Sequence, residues 1–138
     1  MLGYAAARSM KTTRKVMTPA LRSDVIVDFI FEDGVLFIAL SNIGARPARK
    51  VSVAFDPKFH GADGMNVASM ALFKNVEFLA PHKTITTLLD SSAAYFARGE
   101  ATRIAATISY VRSNGARCRV TIYHDLEIYR DLAYRVRA

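Results

Sequence analysis

Three histidines, one cysteine and one pair of adjacent serines are the side chains in this 138-residue sequence whose chemistry could extend beyond packing. His60, His82 and His124 fall in separate segments, without the H-x-x-x-H or H-E-x-x-H spacing that turns two imidazoles toward one zinc ion. His60 and His82 read as loop surface residues, and His124, beside Asp125, as an exposed strand residue. Asp56, His60 and Asp63 would offer clustered donors to a hard cation, but their spacing is not that of a calcium-binding loop. They read as solvated loop residues. Cys118 between Arg117 and Arg119 would be an activated thiolate if all three shared a face. Strand alternation sends the arginines to one face and the thiol to the other, so an inert inward thiol is expected. Ser91-Ser92 lies just before Tyr95-Phe96 with no base marked for it, and the sequence has no G-x-S-x-G elbow, P-loop or G-x-G-x-x-G. No catalytic residue, metal ligand or cofactor site is therefore assigned, and a non-enzyme without cofactor or small-molecule substrate is expected.

Binding chemistry is better represented. The formal charge is +7 and the isoelectric point about 9.9, but the excess is unevenly placed. Residues 1–22 carry Arg8, Lys11, Arg14, Lys15 and Arg22 with no acid, residues 23–129 carry eleven bases and eleven acids, and the tail from Arg130 adds +2. This is a neutral domain with a basic N-terminal arm. The five arm bases are the candidate contacts for an anionic membrane surface or, less favoured, for nucleic acid. Two further basic clusters are Arg46, Arg49 and Lys50, and Arg112, Arg117 and Arg119. Nucleic-acid binding would want aromatic platforms among such bases, and Tyr110 is expected to point inward. Tyr95 and Phe96 are either a binding tip or a cap on the open end of the core. With Arg117 and Arg119 they are the candidate contacts for a protein partner or a second copy of the chain.

The elements that must position these residues follow from periodicity. Residues 3–17 read as a weakly amphipathic helix that Pro19 stops. From Asp24 the period becomes two: Val25, Val27, Phe29 and Phe31 alternate with their neighbours, and Asp33-Gly34 turns the chain into Val35, Phe37 and Ala39. Residues 41–47 are turn-rich, and Val51, Val53 and Phe55 mark a strand that ends at Asp56-Pro57. A loop covers 56–66, and residues 67–73 fit a helical turn and a short strand equally. Strands are expected over 76–79, 83–89, 102–111 and about 116–128, with a loop over 90–99. Seven short strands at this spacing predict an all-β, immunoglobulin-like antiparallel sandwich over 23–129, flanked by the arm 1–22 and the tail 130–138.

The last hairpin allows a register to be chosen. A two-residue Asn114-Gly115 loop would put Ile108 and Tyr110 on the opposite face from Cys118, Val120 and Ile122. A three-residue loop with Gly115 in the left-handed conformation instead pairs Arg112 with Ala116, Tyr110 with Cys118, Ile108 with Val120 and Ala106 with Ile122. The second register is expected, with Cys118 inward and Arg117 and Arg119 toward solvent.

The run from Ser41 to Val53 (SNIGARPARKVSV), followed by Phe55-Asp56-Pro57, resembles the N-x-G-x-x-P-A-x-x-V-x-V signature of immunoglobulin-like bacterial sandwich domains of the CARDB type. Phe78-Leu79-Ala80-Pro81, and Ile108-Ser109-Tyr110 before Asn114-Gly115, are similar to that family's later strands. The resemblance covers about residues 24–128 and implies the sandwich fold and an adhesion-like role. In physical terms Asn42 suits a side-chain cap on the turn, Gly44 a positive φ, and Pro47 a preset start to the next strand. Arg14 to Pro19 before an alternating strand resembles small bacterial membrane proteins in which a helix leaving the bilayer precedes such a sandwich, although Met1 here stands where that helix would end.

Composition sets the outer limits. At 51% hydrophobic and 22% charged residues the chain can bury a core, and its length suits one domain. A single cysteine makes no internal disulfide. Residues 1–7 are too short for the apolar region of an export signal, and the longest uncharged run, Gly34 to Ala45, falls short of the roughly 20 apolar residues of a spanning helix. The expected role is a non-catalytic interaction or scaffold module, cytoplasmic or on the cytoplasmic face of a membrane, attached through its arm. The alternative is a shell or coat subunit whose arm contacts nucleic acid.

Overall fold

The structure is a computed structural model that describes residues 24–132. Seven strands follow in order: β1 (Val25–Glu32), β2 (Val35–Asn42), β3 (Ala48–Asp56), β4 (Val76–Leu79), β5 (Thr84–Ser91), β6 (Arg103–Arg112) and β7 (Arg117–Asp125). They form two antiparallel sheets, β1-β2-β5 and β4-β3-β6-β7, packed as a sandwich. The alternation seen in the sequence explains the facing. Val25, Val27 and Phe29 of β1 and Leu36, Ile38 and Leu40 of β2 are buried against Val51 and Val53 of β3 and Ile104, Ala106 and Ile108 of β6. Asp33 and Gly34 both take positive φ (52° and 77°), so Glu32 pairs directly with Val35 across a two-residue turn.

The open ends of the sandwich are closed by short elements. Residues 67–73 are helical: a 3-10 turn at Val67–Ser69, then α1 (Ala71–Lys74). Phe73 of α1, Phe59 and Phe55 form edge-on aromatic pairs at 5.0 and 5.3 Å. The expected loop over 90–99 is instead the end of β5 followed by α2 (Ser92–Ala97). Ser91 Oγ caps that helix by accepting from the Ala94 N–H at 3.1 Å. The last strand stops at Asp125, short of the expected Ile128. Its carboxylate accepts from the Glu127 N–H, a 3-10 turn follows over Leu126–Tyr129, and Leu126 is buried.

The β6–β7 hairpin has the three-residue loop. Tyr110 pairs with Cys118, Ile108 with Val120 and Ala106 with Ile122; Arg112 N–H donates to the Ala116 carbonyl at 2.8 Å. Gly115 sits at φ +87° with open space where a Cβ would stand. Gly115→Val should therefore destabilise through backbone strain alone, by about 1 to 2 kcal/mol, read as a fall in the urea midpoint at unchanged slope. Cys118 is half-buried against the core, and Arg117 and Arg119 are exposed, as the alternation requires. Val120 shares the inner face but is 40% exposed, because β7 is an edge strand that the opposite sheet only partly covers.

Candidate functional site

Antiparallel pairing gathers one set of strand ends and turns at one pole of the sandwich. The start of β1, the 43–47 turn, the 80–83 turn and the tip of the β6–β7 hairpin all meet there. Asn42 holds the pole together: its Nδ2 donates to the carbonyls of Arg46 (2.8 Å) and Leu79 (3.2 Å), and its Oδ1 accepts from the N–H groups of Gly44 (3.0 Å) and Asp24 (3.3 Å). The bases Arg46, Arg49, Lys50 and Lys83 share this pole with Arg112, Arg117 and Arg119, and its acids are Asp24 and Glu77, the latter across from Lys50 in the β3–β4 register. Among the described residues none of the seven bases takes part in an ion pair. Arg112, half-buried, also leaves its Nε without a hydrogen-bond partner there.

A bulge sharpens this pole into a site. The pairing of β3 with β6 slips between Arg49 and Ser52, and Lys50 takes φ +52°. Both Arg49 and Lys50 are consequently exposed instead of alternating. Arg49 lies over the Phe78 ring at 5.1 Å. Lys50 joins Ser109, Val111, Arg117 and Arg119 around an open depression of about 360 Å³ on the outer face of the four-stranded sheet. The register puts Arg119 opposite Ser109 and Arg117 opposite Val111.

The opposite pole is acidic and internally paired. Arg98, just after α2, pairs with Asp90 and with Glu100 (3.5 Å), and its Nη2 donates to the His60 carbonyl at 2.9 Å. Arg103 pairs with Asp125 (3.8 Å) and Arg130 with Glu127 (2.8 Å). Burial pushes the Glu100 carboxyl up, but hydrogen bonds from the His60 backbone (2.9 Å) and ring (3.4 Å) and from Arg98 outweigh it. The result is a carboxyl held below its ordinary value of 4.5. A depressed carboxylate contributes stability that is present above that ordinary value and lost as the pH falls through the folded value. The thermal midpoint should therefore drop on acidification below pH 4.5, and Glu100→Gln should flatten that part of the profile.

Several expected site residues stand elsewhere than the sequence suggested. Of the two alternatives for Tyr95, the burial fits the cap and not the tip: it is fully buried, its hydroxyl donating to the Ala101 carbonyl. Phe96 is half-buried beneath the Arg130 guanidinium at 4.4 Å. His124 is not an exposed strand residue; it is half-buried, edge-on to Phe29 at 5.0 Å, with Nε2 2.9 Å from the Val27 carbonyl. Ser92 is buried and Ser91 is occupied as a helix cap. Among the described residues no group of three or more His, Cys, Asp or Glu side chains gathers for a metal ion. No helix there is long and apolar enough to cross a membrane. The arm contacts Arg8, Lys11, Arg14, Lys15 and Arg22 lie outside the described residues. Lys50 belongs to the basic cluster visible in the sequence, whereas nothing in its type marks Ser109; the signal for the depression is the adjacency of two bases, Arg49-Lys50, where alternation would bury one.

A family model described as Domain of unknown function (DUF8453) matches residues 2–130. The chain belongs to that family. The DUF8453 match spans the sequence of both the basic arm and the sandwich. No curated protein and no solved structure matches the chain.

Proposed function

We propose that this DUF8453 chain is a non-catalytic interaction module of immunoglobulin-like, CARDB-type organisation. It rests on an anionic membrane surface through its arm and the basic pole of its sandwich. The observation that carries this reading is the polarity of the folded body. The described residues are neutral in sum, yet seven unpaired bases stand at the pole where the +5 arm joins β1, while the arginines of the far pole are neutralised by pairing. A base close to an anionic leaflet contributes about 1 kcal/mol, and the contribution dies away over a Debye length of roughly 8 Å. Charge collected at one pole and on the adjoining arm acts together; the same charge spread over the body would not. Attachment of this kind is reversible and orients the acidic pole, with α2 and the 57–66 loop, away from the surface toward a protein partner. The cytoplasmic face, whose leaflet is anionic, is the matching location.

The test is sedimentation with vesicles of phosphatidylglycerol and phosphatidylcholine at low and high salt. The whole chain is compared with a full-length variant in which the five arm bases are Gln. The whole chain should bind at low salt and release at high salt, with the variant weaker but still bound through the basic pole. Failure of the whole chain to bind at low salt would overturn the reading. Arg49 stacked on the half-exposed Phe78 favours a second reading, since such a platform suits a nucleic-acid base. A parallel assay with single-stranded oligonucleotide decides between the two: preferential oligonucleotide binding supports the coat-type alternative.

A further inference from the structure

We infer that the depression bounded by Lys50, Ser109, Arg117 and Arg119 is a phosphate-binding site that takes the headgroup of an acidic phospholipid. This deepens the membrane reading and rests on it for the source of the phosphate. Four observations carry the assignment. Arg117 and Arg119 are alternate residues on β7, so they leave the same face of the sheet about 7 Å apart, a spacing at which two guanidinium forks can approach one tetrahedral anion from either side. Ser109, directly across from Arg119, supplies a hydroxyl donor to the space between them. Lys50 is brought to the rim by a bulge that holds a residue bearing a Cβ at φ +52°, a conformation that a regular strand would avoid. No carboxylate lines the depression, and at about 360 Å³ it lies within the range of small-molecule sites. Recognition is thus by fixed cationic donors arranged on a rigid sheet, in contrast to the diffuse attraction expected of the arm.

The experiment compares full-length chain with Arg117→Gln/Arg119→Gln and with a charge-matched control, Lys58→Gln/Lys74→Gln. The control residues are exposed and lie toward the acidic pole. Binding to phosphatidylglycerol-containing vesicles should fall about tenfold or more in the β7 double variant and less than about twofold in the control. Amide shifts of Ser109 and Arg119 on titration with inorganic phosphate, and with glycerol 3-phosphate, provide a second readout that needs no vesicle. Both titrants should move these amides in the unaltered chain and not in the β7 double variant. Equal losses in the two double variants, or shifts that survive in the β7 variant, overturn the site while leaving the membrane reading intact. Phosphate shifts without any vesicle binding by the unaltered chain overturn the membrane reading and the headgroup, and assign the site to free phosphate. Oligonucleotide that displaces phosphate and outcompetes vesicles also overturns the headgroup assignment.

Discussion

Asn42→Ala should lower the stability of the domain by about 3 to 4 kcal/mol, close to half of what holds many domains of this size folded. Asn42 is 1% exposed and its bonds to Leu79 and Gly44 are buried, so those two partners have no water to turn to when the side chain is removed, while the Arg46 and Asp24 groups are part-buried. The carbonyls of Arg46 and Leu79 and the N–H groups of Gly44 and Asp24 would each lose a bond. A net hydrogen bond contributes on the order of 1 kcal/mol, and leaving its partner buried and unpaired costs more. Asn42→Asp separates the two halves of the side chain: both acceptor bonds survive, but two carbonyls then face a carboxylate, so the loss should be of similar size. Urea denaturation of both variants checks this, and a loss under 1 kcal/mol in either would show that the pole is held by other contacts. A loosened pole should also weaken vesicle binding, because Asn42 ties together the turns that carry Arg46 and Lys83.

The local half of that role, Asn42 capping the turn to Gly44 and Arg46, is legible in the sequence, because a side-chain cap acts over a few residues and needs only turn chemistry to be recognised; its bonds to Leu79 and Asp24 depend on the fold. Equally legible are the three-residue hairpin loop at Gly115 and the two-residue turn at Asp33-Gly34, where a required positive φ is written in the residue types; Gly44, expected to need one too, does not take it, and its turn is held by the Asn42 cap instead. The hairpin register reaches beyond the loop itself. Continued along β7, it places His124 opposite Ile104, on the same face as Cys118 and Ile122, which predicts the half-buried histidine that is found. Helix α2 was harder to see. Ser91 as cap and Gly99 at φ +74° bracket it, but six residues are too few for a period of 3.6 to separate from noise.

The basic pole lay beyond any reading along the chain. Its bases come from β3, the 80–83 turn, β6 and β7, and only the antiparallel stacking of those strands brings them to one end. Summed by segment, the body is neutral; summed by position in the fold, it is polar. The bulge at Lys50 has the same character. An alternating pattern predicts one of Arg49 and Lys50 inward, and only competition with the buried Ala48 and Val51 on either side forces an extra residue out of the ladder.

Tyr95→Ala should cost about 3 to 5 kcal/mol, the range for removing a large aromatic side chain from a filled core. The ring is fully buried at the acidic pole and packs edge-on against Phe96 at 5.9 Å. Burial first, and then the charge of Glu100, raise the phenol well above its ordinary pKa despite the opposing Arg98, so the hydroxyl stays protonated and donates to the Ala101 carbonyl. Tyr95→Phe removes that one bond and should cost about 1 kcal/mol. Phe96→Ala should cost less than Tyr95→Ala, because the half-buried Phe96 ring keeps one face against the exposed Arg130. The order Tyr95→Ala, then Phe96→Ala, in denaturant midpoints distinguishes a cap on the core from a binding tip. A tip would give small stability losses for both variants and a loss of partner capture instead. The cap also shapes the surface above it. Arg98 lies over the Tyr95 ring at 5.7 Å and pairs with Asp90 and Glu100, while Glu100 in turn holds the His60 backbone. The charged groups exposed at this pole are therefore positioned over a buried tyrosine.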